Sequence, residues 1–132
     1  GLRDNLVISL QMADGSAATI TYASTGDKSF AREYVEVFGG GLAAAIDNFK
    51  GERATSGGRT RRRRAMGVDR GHVAELQAFF DALRQGEEQP VPLQDYVATT
   101  LATFAVEASL SQGHALSVDA DGFMIHHLGE KA

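Results

Sequence analysis

The period of the apolar residues changes near residue 71, and this change constrains the fold more than any other feature of the chain. Before that point apolar and polar residues alternate, as they do in strands, and after it the apolar residues recur every three or four positions, as in amphipathic helices. Strands that come first and helices that follow are typical of an α+β fold rather than a doubly wound parallel sheet. The sequence predicts an open, mostly antiparallel sheet of hairpins with two main helices packed on one face.

The first half of the chain contains three candidate hairpins. The even positions of 6–12 and 18–22 are apolar, and Asp14 and Gly15 stand between them in the position of a tight turn. Residues 32–38 and 42–50 form a second extended pair around the glycines 39–41, and a third pair surrounds Gly57 and Gly58. Three glycines in a row also suggest a phosphate-binding loop, but an extended segment follows them instead of a helix, which favours a turn.

The second half predicts two amphipathic helices. One begins after Gly71 and ends at Gly86, and the other follows a linker that contains Pro90 and Pro92 and ends at Gly113. Residues 115–118 are predicted to form a short strand, and residues 119–122 a turn. That turn imitates the start of a calcium-binding loop but lacks the later bidentate glutamate.

Composition limits the classes of function. The chain has 132 residues, of which 43% are hydrophobic and 23% charged, as expected for one compact domain. It has no cysteine, which excludes disulfides, thiolate metal sites and a cysteine nucleophile and agrees with a cytoplasmic location. The formal charge of −4 disfavours a nucleic-acid partner, and no apolar run is long enough for a membrane span. Because the chain starts with Gly1 instead of Met, we expect a piece of a longer protein.

The densest run of charge is formed by Arg59 and the four arginines at 61–64. Guanidinium groups could hold an anionic substrate, a cofactor phosphate or an acidic partner, but the net negative charge of the chain favours an exposed or edge strand whose charges discourage edge-to-edge pairing. Successive residues of a strand point to opposite faces, so about half of these side chains can serve one site. The candidate anion or interface contacts are Arg59, Arg61 and Arg63.

No catalytic, cofactor-binding or metal-ligating residue is predicted in this chain. The four histidines lack the spacing of a helical metal site, and neither a nucleophile elbow nor a pair of adjacent carboxylates is present. A site assembled in space from distant residues is the remaining route to catalysis.

Two segments of the chain resemble a known family. Residues 72–86, with Pro90, Pro92 and Gly113, are similar to a helix, a proline-containing linker and a second helix that ends in glycine before a strand, and residues 26–30 and 33–41 are similar to the strand and turn upstream of them. This arrangement resembles the C-terminal domain of the Gfo/Idh/MocA-type oxidoreductases. The run Asp47, Asn48 and Phe49 with the basic strand further resembles the branch in which this domain ends a bi-domain oxidoreductase.

The resemblance implies a division of the chain and a set of partners. Residues 1–118 would be the sheet-forming C-terminal oxidoreductase domain, and residues 119–132 an extension or tail. The family's cofactor fingerprint and catalytic lysine lie upstream in its members and have no counterpart here, so NAD or NADP would be bound by a separate Rossmann domain of the parent enzyme. The resemblance also implies a homo-oligomer that forms through the sheet.

Two other hypotheses remain open. The chain could be a stand-alone α+β module that binds a small molecule or dimerises, with a pocket that has the sheet as its floor. It could also be an independent enzyme with a spatially assembled site.

Overall fold

The computed structural model describes residues 4–129, apart from the side chain of Leu128, and has an α+β architecture. The strands precede the helices, as predicted from the change of period. The strands are β1 (Asn5–Gln11), β2 (Ala17–Ala23), β3 (Tyr34–Gly39), β4 (Leu42–Asp47), β5 (Gly51–Ser56) and β6 (Arg59–Arg64). The helices are α1 (His72–Gln85), α2 (Leu93–Gln112) and α3 (Ala120–Leu128).

The strands form two antiparallel sheets in which sequential strands are neighbours. One sheet contains β1 and β2, and the other has the order β3-β4-β5-β6. In the first, Leu6 lies opposite Tyr22 and Ile8 opposite Ile20, so the predicted apolar positions of both strands share one face. The three predicted hairpins are therefore confirmed.

The loop of the first hairpin is wider than predicted. It spans residues 12–16, and the Met12 N–H donates to the Ser16 carbonyl oxygen at 2.9 Å. A two-residue type I′ turn needs two successive residues with positive φ, and in this loop Gly15 alone has one, at 87°. The Asp14 carboxylate instead accepts hydrogen bonds from the Ser16 N–H (2.9 Å) and Ser16 Oγ (2.6 Å), and these bonds favour the larger loop.

The glycine pairs of the second sheet form tight turns. Gly40 and Gly41 have φ of 55° and 75°, and Gly57 and Gly58 have φ of 56° and 72°. Two successive residues with positive φ are the requirement of a type I′ hairpin, and glycine meets it without a steric cost. The turn interpretation of the triple glycine is thus confirmed.

Strand β4 ends at Asp47, three residues before the predicted end of the extended segment. Asn48 and Phe49 both adopt left-handed φ, 48° and 52°, and the Lys50 N–H donates to the Asp47 carbonyl oxygen at 2.9 Å. These residues form a turn that leads directly into β5. The apolar character of Phe49 concealed the turn from the alternation pattern.

Both predicted helices are present and end at the expected glycines. At the end of α1, Gly86 has φ of 68° and the Glu87 N–H donates to the Ala82 carbonyl oxygen at 2.9 Å. At the end of α2, Gly113 has φ of 77° and its N–H donates to the Ser109 carbonyl oxygen at 2.8 Å. These are the left-handed C-caps for which glycine is preferred.

The predictions for residues 115–122 are wrong. Residues 115–118 form no strand, and residues 119–122 begin helix α3 instead of forming an isolated turn. Asp119 is the N-cap, because its Oδ1 accepts a hydrogen bond from the Gly122 N–H at 2.8 Å, and Asp121 adds a second carboxylate to the first turn. Carboxylates in these positions compensate the unpaired N–H groups and the positive end of the helix dipole.

The chain divides into two compact units, residues up to Val73 and residues from Ala74 onward. Within the second unit α2 and α3 pack against each other, and Met124 of α3 is 3% exposed. Gln94 Nε2 of α2 also donates to Asp121 Oδ1 of α3. Packing of helices on one face of the sheet, and the boundary at residue 118, stay predictions. In residues 4–129 no helix has the length and apolarity needed to cross a bilayer.

Candidate functional site: the two faces of the four-stranded sheet

The register of the second sheet assigns each of its side chains to one of two faces, because directly opposed residues point to the same side. We name the faces after a residue of β3. The tyrosine face carries Tyr34, Glu36, Phe38, Ala43, Ala45, Asp47, Arg53, Thr55, Thr60, Arg62 and Arg64. The valine face carries Val35, Val37, Leu42, Ala44, Ile46, Glu52, Ala54, Ser56, Arg59, Arg61 and Arg63.

The three arginines predicted as anion or interface contacts all lie on the valine face, along the edge strand β6. Arg63 Nη1 lies 3.4 Å from Glu52 Oε1, in an ion pair whose side chains are 86% and 52% exposed. Such an exposed pair contributes little to stability. Arg59 and Arg61 form no ion pair with the described residues. Strand β6 lies at the edge of the four-stranded sheet, as one of the two interpretations predicted, and the role of its arginines as anion or interface contacts stays a prediction.

The apolar part of the valine face lies on β3 and β4. Val35 is 45% exposed, Val37 56% and Leu42 43%, and Ile46 lies opposite Val35 in the register. Strands that form one covered layer usually turn such residues toward a core. Here Val35, Val37 and Leu42 are exposed and Ile46 is half-buried, and strand β5 separates them from the arginines of β6.

The tyrosine face contains a trough along strand β4. Its floor consists of Ala43 and Ala45, and the larger side chains of β3 and β5 form its walls. Beside Ala43 and Ala45 the trough opens into a cavity of about 280 Å³. Its lining includes Phe38 on one side and Thr55 on the other. Short side chains on a central strand thus leave space between the longer side chains of β3 and β5.

A hydrogen-bonded network spans this trough. Tyr34 Oη donates to Glu36 Oε1 at 2.8 Å, and Arg53 Nη2 donates to Tyr34 Oη at 3.3 Å and lies 3.5 Å from Glu36 Oε1. In the register, Ala45 lies between Glu36 and Arg53. The ion pair therefore passes over Ala45, in agreement with the burial of that residue, which is 7% exposed. A longer side chain at this position would separate the two charges.

The hydrogen bond to the Glu36 carboxylate raises the pKa of Tyr34 above its ordinary value, and desolvation and the negative charge of Glu36 act in the same direction. An ionised phenol would lose this hydrogen bond and face a carboxylate. Tyr34 therefore stays protonated and positions the carboxylate for Arg53.

The rows next to this network add further polar groups to the same face. Arg62 of β6 lies directly opposite Arg53, and both residues line the same cavity. In the next cross-strand pair on this face, Thr55 Oγ1 and Thr60 Oγ1 are hydrogen-bonded at 2.9 Å. Like charges opposite each other in a sheet are destabilising, so the Arg53 and Arg62 pair is suited to an anion that lies between them.

A second cluster lies at the turn between β4 and β5. Arg70 Nη2 donates to both carboxylate oxygens of Glu33 at 3.0 Å, and its guanidinium is 5.9 Å from the centroid of the Phe49 ring. The Asn48 N–H donates to the Glu33 carbonyl oxygen at 2.7 Å, and the Asp69 N–H to the Phe49 carbonyl oxygen at 3.4 Å. These bonds attach the segment before β3 and the segment after β6 to the turn, so the cluster has a structural role.

Sequence reasoning missed the residues of the tyrosine-face network. Glu36 and Arg53 carry no local motif, and their connection depends on the register of three strands. The available signal was a run of small residues in a central strand between one strand that carries Glu36 and another that carries Arg53. The histidines form no cluster that could hold a metal within the described part of the chain. His127 stacks on Phe123, with ring centroids 4.2 Å apart.

Comparison with known proteins finds no family model, no curated protein and no solved structure that matches the chain.

Proposed function

We propose that this chain is the C-terminal substrate-side and association domain of an NAD(P)-dependent oxidoreductase of the Gfo/Idh/MocA type. The order of its elements supports the proposal, because hairpins are followed by α1, a linker with two prolines, and α2, which ends in Gly113. The parent enzyme would supply the Rossmann domain, the nicotinamide cofactor and the catalytic residues. In this proposal the chain has no activity of its own.

The exposed valine face is the observation that carries the proposal. Large contiguous apolar patches are rare on the surface of soluble monomers and usually mark an interaction site. Complete burial of a valine side chain stabilises by about 1.5–3 kcal/mol, so burial of the 56% of Val37 that is exposed would contribute roughly 1 kcal/mol per subunit. We infer that a second copy of the chain covers this face and that the arginines of β6 lie at the rim of the interface.

A stand-alone small-molecule-binding module is the second candidate. The trough of the tyrosine face favours it, because it combines a cavity with converging polar groups. The two candidates use opposite faces of the sheet and can therefore be separated.

The first measurement is the solution mass of the chain by sedimentation, together with titration of NAD(H) and NADP(H). We expect a dimer or a larger species with no dinucleotide affinity. A monomer at all concentrations would contradict association through the sheet, and tight dinucleotide binding would contradict a domain without cofactor function.

Two variants on one strand identify the face that associates. Val37 and Phe38 are adjacent on β3, point to opposite faces and are 56% and 74% exposed. We expect Val37→Lys to dissociate the oligomer, because a charge would be placed in an apolar interface. Phe38→Lys is the matched control and should leave the mass unchanged. Dissociation by the Phe38 variant alone would assign the interface to the tyrosine face and overturn the inference.

A further inference from the structure

We propose that the trough on the tyrosine face binds a small molecule through an oxyanion group, a carboxylate or a phosphate, held between Arg53 and Arg62. This site is separate from the proposed association surface, because it lies on the opposite face of the sheet. The inference therefore goes beyond the oxidoreductase assignment and would also apply to a stand-alone module.

The tyrosine face has an arginine that is not paired with a carboxylate of the described residues. In the row that crosses the sheet, Glu36 is followed by Ala45, Arg53 and Arg62, so one carboxylate faces two guanidinium groups. Glu36 is paired with Arg53, whereas Arg62 forms no ion pair with the described residues. A guanidinium has five N–H donors in a fork that matches the two oxygens of a carboxylate or phosphate. An oxyanion between the two arginines would also relieve their repulsion.

The arrangement is partly organised before a ligand arrives. Arg53 is oriented by Tyr34 and Glu36, which reduces the entropy that this side chain would lose on binding. The hydroxyl groups of Thr55 and Thr60 lie in the next row and are bonded to each other at 2.9 Å. They can exchange that bond for bonds to hydroxyl groups or further oxygen atoms of a ligand.

The remaining lining and the size of the cavity define the ligand class. Phe38 is 74% exposed and borders the floor formed by Ala43, so the trough offers an apolar surface next to the arginines. A cavity of about 280 Å³ has the size of a small metabolite. The ligand is therefore a small, hydroxylated molecule with one oxyanion group.

The test uses the full chain and two probe anions, inorganic phosphate and citrate. Each is titrated at constant ionic strength with chloride as the balancing ion, and binding is followed by NMR at the Nε–Hε groups of the arginines. We expect saturable binding of at least one probe with a Kd of about 1 mM or tighter, which corresponds to about −4 kcal/mol. Saturation by phosphate alone indicates a phosphate-bearing ligand, and saturation by citrate alone a carboxylate. The absence of saturable binding by both probes would overturn the proposal.

Adjacent arginines of β6 provide a matched control. Arg62→Gln removes a charge from the tyrosine face, and Arg61→Gln removes one from the valine face. We expect Arg62→Gln to weaken binding roughly tenfold, because it removes a charge-assisted hydrogen bond, and Arg61→Gln to change it by less than about twofold. An equal loss of affinity in both variants would mean that binding depends on the overall charge of the protein, and this result would overturn the proposal.

A second variant tests the site without a change in charge. Thr60→Val keeps the shape of an exposed side chain and removes a hydroxyl group from the trough. We expect weaker binding of each probe that saturates the wild type, with an unchanged solution mass, and unchanged binding of that probe would contradict a role for the hydroxyl pair. Because Arg62→Gln should also leave the mass unchanged, failure of the anion site is distinguishable from failure of association through the valine face.

Discussion

The effect of replacing Gly122 in helix α3 is predicted to depend on Asp119, whose carboxylate caps the helix. Asp119 Oδ1 accepts a hydrogen bond from the Gly122 N–H at 2.8 Å. A Cβ atom added to Gly122 would lie 2.8 Å from Asp119 Cγ and would overlap Oδ2, which is closer than real Cβ contacts. In Gly122→Ala the carboxylate must therefore move, and we expect the capping hydrogen bond to be lost.

The expected magnitudes follow from two opposing effects. Loss of an N-cap costs about 1 kcal/mol, and replacement of a helical glycine by alanine stabilises the helix by up to about 1 kcal/mol. We therefore expect Gly122→Ala alone to have a net effect close to zero. In an Asp119→Ala background no cap remains to be lost, so the same substitution should stabilise α3 by about 1 kcal/mol, or roughly fivefold in the opening equilibrium.

Native-state hydrogen exchange of the α3 amides is the assay, because it measures local opening independently of global unfolding. Four proteins complete the cycle: the wild type, the two single variants and the double variant. A coupling free energy near 1 kcal/mol between Asp119 and Gly122 is expected. If Gly122→Ala raised protection about fivefold in both backgrounds, the carboxylate would not be in conflict with the new Cβ and the reasoning would be refuted.

Three further predictions concern the hydrogen-bonded side chains and the core. Glu36→Gln should lower the pKa of Tyr34 toward 10.0, because the bond to the carboxylate is the largest cause of its elevation; ultraviolet titration checks this. That hydrogen bond stabilises the folded protein below the pKa that Tyr34 has in the unfolded chain. The stabilisation is lost as the pH rises through the pKa of Tyr34 in the folded protein. Ser16→Ala should raise the depressed pKa of Asp14 toward 3.8, because the hydrogen bond from the Ser16 hydroxyl is the largest cause of the depression; a carbon-13 NMR titration checks this. The contribution of Asp14 to folding stability is present above pH 3.8 and is lost as the pH falls through its pKa in the folded protein. Met124→Ala should lower the free energy of unfolding of the α2 and α3 pair by about 2–5 kcal/mol, measured by urea titration, and a loss below about 1 kcal/mol would contradict its burial.

Most of the secondary structure could be predicted because its signals are local. Alternation at 6–12 and 18–22 gave the first hairpin, and glycine pairs marked two of the turns because they can adopt successive positive φ. Gly86 and Gly113 marked the ends of α1 and α2 for the same reason. In each case the deciding interaction lies within a few residues of the signal.

The errors arose where one local signal outweighed another. The β-branched residue in 115–118 suggested a strand, but no described strand pairs with it. The capping geometry of Asp119 decided the following segment in favour of a helix. Phe49 suggested continued alternation, although its backbone is in the left-handed region. Apolar character alone could not distinguish these conformations.

Part of the candidate site could be predicted from the sequence, and part of it only from the tertiary structure. Alternation along β6 by itself determined that Arg59, Arg61 and Arg63 share one face, since successive strand residues point to opposite sides. Only the tertiary structure decided that Arg53 meets Glu36 across Ala45 and has Arg62 as its neighbour. The physical reason is that alternation specifies the side of a strand to which a residue points, whereas strand order and register specify its neighbours, and these depend on the turns and packing of the whole sheet.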